Sequence, residues 1–334
     1  GSRATALGYR ALNTQNFTSA TDNYNVAVGF QAGYSVTTGV RNTLVGGSAG
    51  DALTTGDNNV ALGFNALSAE TQGDRNIAIG TDALAAQNNT SDTDVYNIAI
   101  GFQAGASVTT GTGNILVGGL VGDALTEGSS NVAMGQTALT SDTLGSRSVA
   151  IGQSALFTQN FTSATNAYNT GVGYFAGANI TTGTNNTLIG GLAGDALTTA
   201  SGITAVGYAA LSASTTGSAN TVMGYLAADA LTTASNNVAM GNSALGAGTT
   251  GGNNVAIGFN ALLSNTTGVA NTAVGSRALD ANTTASNNTA VGYQALTENT
   301  TGTSNVAVGY NSSDANTTGF QNTAIGYLSL TSNT

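Results

Sequence analysis

The chain has 334 residues, length enough for two ordinary domains, yet only 7% are charged, against roughly 25% in an ordinary soluble domain. Lys, His, Cys, Pro and Trp are absent, which removes imidazole and lysine chemistry, thiolate nucleophiles, disulfides and zinc-thiolate sites. Six Arg against 16 Asp plus Glu leave a net charge of −10, a surface that repels phosphate backbones, so nucleic acid is not expected as a partner.

From its start the chain is one internal repeat. The signature is Asn, a β-branched residue, usually Ala, an apolar residue, then Gly, as in Asn25-Val26-Ala27-Val28-Gly29 and Asn254-Val255-Ala256-Ile257-Gly258. The closing glycine serves as an anchor, position 0, and recurs 19 times from Gly8 to Gly326. Fifteen of the 18 intervals equal the step from Gly29 to Gly46, a 17-residue repeat. The other three are longer by four, running from Gly8 to Gly29, Gly80 to Gly101 and Gly152 to Gly173. A four-coil, 72-residue super-repeat (21+17+17+17) therefore occupies residues 1–223. Plain 17-residue coils fill 224–334. The chain stops at Ser332-Asn333-Thr334, where the pattern calls for Thr-Gly, and no capping unit closes either end; a segment of a longer, continuous rod is the expectation.

The columns of this alignment give the fold. A 17-residue unit is too short for a helical solenoid, and its apolar segments run with period two. Each unit reads as one coil of a parallel β-solenoid: short strand, glycine bend, second apolar segment, polar return turn. Stacked coils bury together what one cannot bury alone. Position −4 is Asn in 16 of 19 copies and predicts a ladder of side-chain amides. Position −1 is Val, Ile, Leu or Met in every copy and predicts the buried stripe, so Ile257→Asp is expected to unfold its neighbourhood. Position +1 is aromatic in 11 of 19 copies, including Tyr9, Phe30, Phe64, Tyr208 and Phe259. Such a file either covers the coil's own edge or contacts another chain, and left in water it would be sticky.

The Asn-x-Ala-Val/Ile-Gly signature with its following Ala resembles the head repeat of trimeric autotransporter adhesins. The longer form, Asn-x-Ala-Val-Gly-Tyr-x-Ala-Leu followed by Asn-Thr-Thr-Gly as at Asn299-Thr300-Thr301-Gly302, resembles repeats of bacteriophage tail fibres. The resemblance spans nearly the whole chain, although its 17-residue coil is longer than is usual in adhesin heads. It implies a left-handed β-roll, a homotrimeric fibre and a place on a virion, as a shaft serving host attachment, with a cell-surface glycan or protein as receptor. The alternatives are the head or stalk of a bacterial surface adhesin, on the cell surface, and a self-assembling extracellular filament subunit.

Candidate contact residues lie in the three long coils, because insertions in solenoids map to loops on one face. Thr14-Gln15-Asn16-Phe17-Thr18-Ser19-Ala20-Thr21 recurs at Thr158 to Thr165, and the middle copy diverges to Gln87-Asn88-Asn89-Thr90-Ser91-Asp92. Asn16, Phe17, Gln87, Asn88, Asn160 and Phe161 are therefore expected at the surface. No catalytic, cofactor or metal site is expected. Asp51, Asp123, Asp195 and Asp229 are two to four coils apart, too far for shared calcium, and read as turn caps. Asp92 and Asp94 sit in a polar loop with no apolar pocket. Sequons such as Asn16 and Asn265 follow from composition alone. Adjacent Thr54 and Thr55 diverge and form no flat ice-binding pair. No run of ~18 apolar residues is present to span a bilayer as a helix.

Overall fold

The computed structural model describes residues 2–331; Gly1 and residues 332–334, the open ends of the repeat, lie outside the described residues. Among the described residues there is no helix, and each coil contributes one three-residue strand ending at its anchor glycine. The chain forms two compact units, Gly1–Tyr168 and Asn169–Thr334. The first holds nine such strands, Thr5–Leu7 to Val149–Ile151, and the second ten, Thr170–Val172 to Thr323–Ile325. Within each unit consecutive strands pair in parallel, one repeat apart. Val26, Ala27 and Val28 face Thr43, Leu44 and Val45, and Val255, Ala256 and Ile257 face Thr272, Ala273 and Val274. The fold is a parallel β-solenoid of 19 coils.

Glycine at position 0 is demanded by the stacking itself. The anchors have φ between 125° and 144°. A Cβ on any anchor with a following coil in its unit would lie 2.2–2.6 Å from the carbonyl oxygen of the next anchor. Both the backbone conformation and the space exclude a side chain. Positions −5, +2 and +4 also turn left-handed, but their non-glycine φ values of 45–63° leave room for one, so Asn, Ser, Arg and even Leu occupy them.

The buried strand column is position −2, and this corrects the expectation that position −1 forms the core. Ala27, Leu44, Ala61 and Ala256 have no exposed surface. Position −1 points the other way, from half-buried Val28 and Ile257 to Leu62 and Met223 at 45% and 46% exposure. Successive strand residues face opposite sides, so assigning the wrong parity turns the whole stripe over. Volume explains the small inward residue. The coil interior already holds Leu from position +4 and a side chain from position +7, both buried, as in Leu67, Leu84 and Leu262 or Val36, Leu53 and Leu125. Where position −2 grows to Leu44, position +4 shrinks: a Cβ on Gly33 or Gly50 would come within 2.8 Å of Leu44.

The asparagine column forms a ladder, with bonding different from a simple amide stack. Along the column Oδ1 accepts from the backbone N–H at position −4 of the next coil, as from Asn42 to Asn25 and from Asn59 to Asn42, both 2.9 Å, and from Ser148 and Ile203 where Asn is replaced. Most Nδ2 groups instead cross their own coil to the carbonyl at position +10, as from Asn25 to Gly39 at 2.7 Å, whereas Asn76 and Asn237 donate to the Oδ1 of Asn59 and Asn220. Amide-to-amide stacking dominates in a second column at position +7, where Asn282 donates to Asn265, Asn299 to Asn282 and Asn316 to Asn299 at 2.8–3.2 Å. The first column thus ties coil to coil and closes each coil, satisfying groups that burial would otherwise strand.

Two substitutions at adjacent residues test the parity. Ala256→Asp places an unpaired charge inside and is expected to cost more than about 3 kcal/mol in denaturant unfolding followed by circular dichroism. Ile257→Asp points outward and is expected to cost within about 1 kcal/mol. Gly258→Ala combines strain with backbone collision and is expected to cost about 2–4 kcal/mol.

Candidate functional site

The three insertions belong to the first unit and are built alike. In each, a residue at position −5 of one coil clamps the next, longer coil. Arg3, Arg75 and Arg147 lie over the rings of Tyr24, Tyr96 and Tyr168, with guanidinium-to-centroid distances of 5.4, 5.6 and 5.7 Å. Arg3 also pairs with Asp22 at 3.2 Å and Arg75 with Asp94, while Arg147 donates to the Tyr168 hydroxyl at 2.6 Å. Short parallel pairs close the base of two loops: Gly73–Asp74 with Thr93–Asp94, and Gly145–Ser146 with Thr165–Asn166. A single bridge from Ser2 to Asp22 does so in the other.

The six candidate residues divide between surface and interior. Asn16, Asn88 and Asn160 are exposed at position +8. Asn88 and Asn160 accept from the hydroxyls of Thr71 and Thr143 at 2.9 and 3.0 Å, continuing a threonine file of the shorter coils. Phe17 is half-buried. Gln87 and Phe161 are buried, which removes both from the surface set. Position +7 is buried in every coil from Val36 to Asn316, so the glutamine follows its column and not its loop.

Beneath the insertions lie two carboxylates that no motif announces. Glu70 is fully buried at position +7. Its Oε1 accepts from the backbone N–H groups of Thr71, Gln72, Gly73 and Asn89 at 2.8–3.1 Å. Its Oε2 accepts from Gln87 Nε2 at 2.8 Å and Asn89 Nδ2 at 3.0 Å. Asp142, also buried, accepts from Gly145 N–H at 3.0 Å, Gln159 Nε2 at 2.6 Å and Phe161 N–H at 3.4 Å. Each acid pins the first residues of a long coil where the regular ladder ends. The one available sequence signal is an acid followed one coil later by Gln in the same inward column.

The outer surface carries the other candidate. All 11 aromatic residues at position +1 are 44–73% exposed. They stack on one another along the coils: Tyr9 on Phe30 at 5.6 Å, Tyr208 on Tyr225 at 5.7 Å, Tyr293 on Tyr310 at 5.2 Å and Tyr310 on Tyr327 at 5.4 Å. Beside them run the outward strand positions −3 and −1, with Val, Ile and Thr half-buried or exposed. No residue in these three columns is charged.

Two open depressions of about 260 and 290 Å³ adjoin in the second unit and share Gln294, Thr297 and Glu298. Among the described residues there is no group of three or more His, Cys, Asp or Glu able to hold a metal ion, and no helix long and apolar enough to cross a membrane. The chain matches no family model and no curated protein.

Burial raises six aspartates, Asp51, Asp74, Asp142, Asp195, Asp229 and Asp280, above the usual carboxylate value, in each case chiefly by desolvation. At Asp142 the bonds from Gln159 and backbone N–H groups offset part of that shift. A raised folded pKa means that the folded chain binds more protons than the unfolded chain in the window just above 3.8. Stability from these groups is therefore fully present below that window and is lost as pH rises through it. The melting temperature is expected to increase between pH 7 and pH 4.5; a fall over that range would contradict the assignment. Glu70→Gln turns an acceptor into a donor facing Gln87 and Asn89, whose bonds to it are 2.8 and 3.0 Å. It is expected to cost about 1–3 kcal/mol in the same unfolding assay.

Proposed function

We propose that this chain is a shaft segment of a bacteriophage tail fibre, a non-enzymatic homotrimer that holds a receptor-binding part away from the virion and serves host attachment. The observation that carries the reading is the uncharged outer strip of positions −3, −1 and +1, repeated on every coil of a chain with net charge −10. A soluble protein alone rarely exposes so long a file of aromatic rings beside an uncharged strip, and depletion of charge marks the centre of interfaces. Ten coils of the second unit present three such residues each, 30 in all, against the roughly 20–30 per side of a standard interface. The absence of His, Cys and Lys fits a load-bearing part better than an enzyme. The exposed Asn16, Asn88 and Asn160 are the residues of this segment suited to touching a surface glycan or protein.

The five-residue signature alone fits the head of a bacterial surface adhesin equally well. The tail-fibre reading is preferred because the longer form, with Tyr at position +1 and Asn-Thr-Thr-Gly in the turn, recurs at Gly292 and its flanks.

Sedimentation velocity of the full chain is expected to give an elongated species of three chains, and a compact monomer at micromolar concentration would overturn the trimer. Ile257→Asp, Val274→Asp and Val291→Asp together charge three successive outward positions. The triple variant is expected to keep its circular dichroism spectrum and to sediment as a monomer.

A further inference from the structure

Residues Thr14 to Thr21 and Thr158 to Thr165 are identical in sequence, yet their glutamines stand differently. Gln159, at position +7 of its coil, donates to Asp142 Oδ2 at 2.6 Å, one coil back in the same column. Gln87 does the same to Glu70 at 2.8 Å. Gln15 holds the corresponding place in the first long coil, and its buried Nε2 has no hydrogen-bond partner among the described residues. Acid and glutamine go together: in the third super-repeat the fourth coil is followed by Leu231 at position +7, not Gln, and its own residue there is Ser214.

A second orphan lies in the same long coil. Asn23 is 1% exposed. Its Oδ1 accepts from Asn25 N–H at 2.9 Å, while its Nδ2 has no partner among the described residues. The other two long coils carry Val95 and Ala167 at this position, so only the first adds a donor there. The position borders the acid: a Cβ on Gly73 would lie 2.8 Å from both Val95 Cγ2 and Glu70 Oε2. The edge around these donors is open and partly apolar. Thr5–Leu7 is exposed at all three positions, whereas Ala27, the counterpart of Ala6 one coil on, has no exposed surface. A buried donor without an acceptor is costly, so two in one coil call for an acceptor from outside.

We infer that the face of the first unit formed by Gln15, Asn23 and Thr5–Leu7 is a seat for a further solenoid coil that presents an Asp or Glu at position +7. Gln15 and Asn23 supply side-chain donors to that carboxylate, and the body of the coil covers Ala6 and Leu7. The occupant is a coil of the kind that carries Asp142, because Gly1-Ser2-Arg3 repeats Gly145-Ser146-Arg147 and Thr14 to Thr21 repeats the loop that Asp142 already holds. A carboxylate suits the seat better than an amide, since both its oxygens accept and it brings no N–H to set against the donors. This contact runs along the stacking direction and does not depend on the lateral assembly proposed above.

The test copies Gly135–Leu144 in front of Gly1 of the full chain, which completes one 17-residue coil and sets the copy of Asp142 one repeat ahead of Gln15. A second version carries Leu in place of that Asp, and each is made with Gln15 and with Gln15→Leu. Hydrogen–deuterium exchange of the peptide spanning residues 13–25 is read by mass spectrometry, with circular dichroism as the check on folding. Beside Gln15 the Asp extension is expected to exchange about tenfold more slowly than the Leu extension, as hydrogen bonds to a buried charge would give. With Gln15→Leu that advantage is expected to vanish or reverse. Equal protection by the two extensions beside Gln15, or an undiminished advantage after Gln15→Leu, overturns the carboxylate. An Asp extension that exchanges no more slowly than the unextended chain overturns the coil as occupant, as does equal protection of the unextended chain by excess acetate.

Discussion

Each coil of this solenoid lies so close on the next that the backbone of one occupies the volume a side chain of the other would need. A Cβ at an anchor glycine would fall 2.2–2.6 Å from the carbonyl carried by the following anchor. Everything else is arranged around that contact. Parallel pairing holds the strands in register, the Asn column ties backbone N–H groups to side-chain oxygens, and a file of threonine hydroxyls reaches carbonyls one coil on, as from Thr37 to Thr54 at 3.1 Å. Because each coil contacts only its neighbours, stability accumulates as a sum of coil and interface contributions.

Repeat length, coil count and the polar ladder were legible in the sequence because they depend on backbone spacing, which a strict period reports directly. The direction of the strand side chains was not. Both parities of the Val-Ala-Val triplet look apolar, and alanine carries too little volume to advertise itself as core. The decisive information was the leucine at position +4, which fills the interior from the opposite wall, as Leu67 and Leu262 do. The asparagines of the insertions are exposed, whereas Gln87 and Phe161 fold inward. Glu70 and Asp142 escaped notice because a lone acid in a polar turn ordinarily means solvent, and only the column assignment turns it inward.

The division of labour between faces follows from the same geometry. The interior is filled by small and branched residues that allow close stacking. The outer strip is uncharged and mixes apolar, aromatic and small polar residues, while the 16 acidic residues lie outside its three columns. Keeping charge off one strip removes like-charge repulsion there, while the charge elsewhere favours solubility. The insertions, held at their base by Arg–Tyr pairs, add relief to the first unit.

The buried acid–glutamine pairs bear on how such a chain avoids mis-threading. Nearly identical coils invite slippage, in which a segment docks one repeat out of order and buries almost the same surface. The Asn265, Asn282, Asn299 and Asn316 file cannot detect that error, since each asparagine would meet another. Glu70 can. Skipping a coil would replace Gln87 by Val108 in its column and strand a carboxylate against a methyl group, at several kcal/mol. The first two super-repeats thereby each carry a proofreading mark at their fourth coil, Glu70 and Asp142, and the remaining coils must rely on chain connectivity for their order.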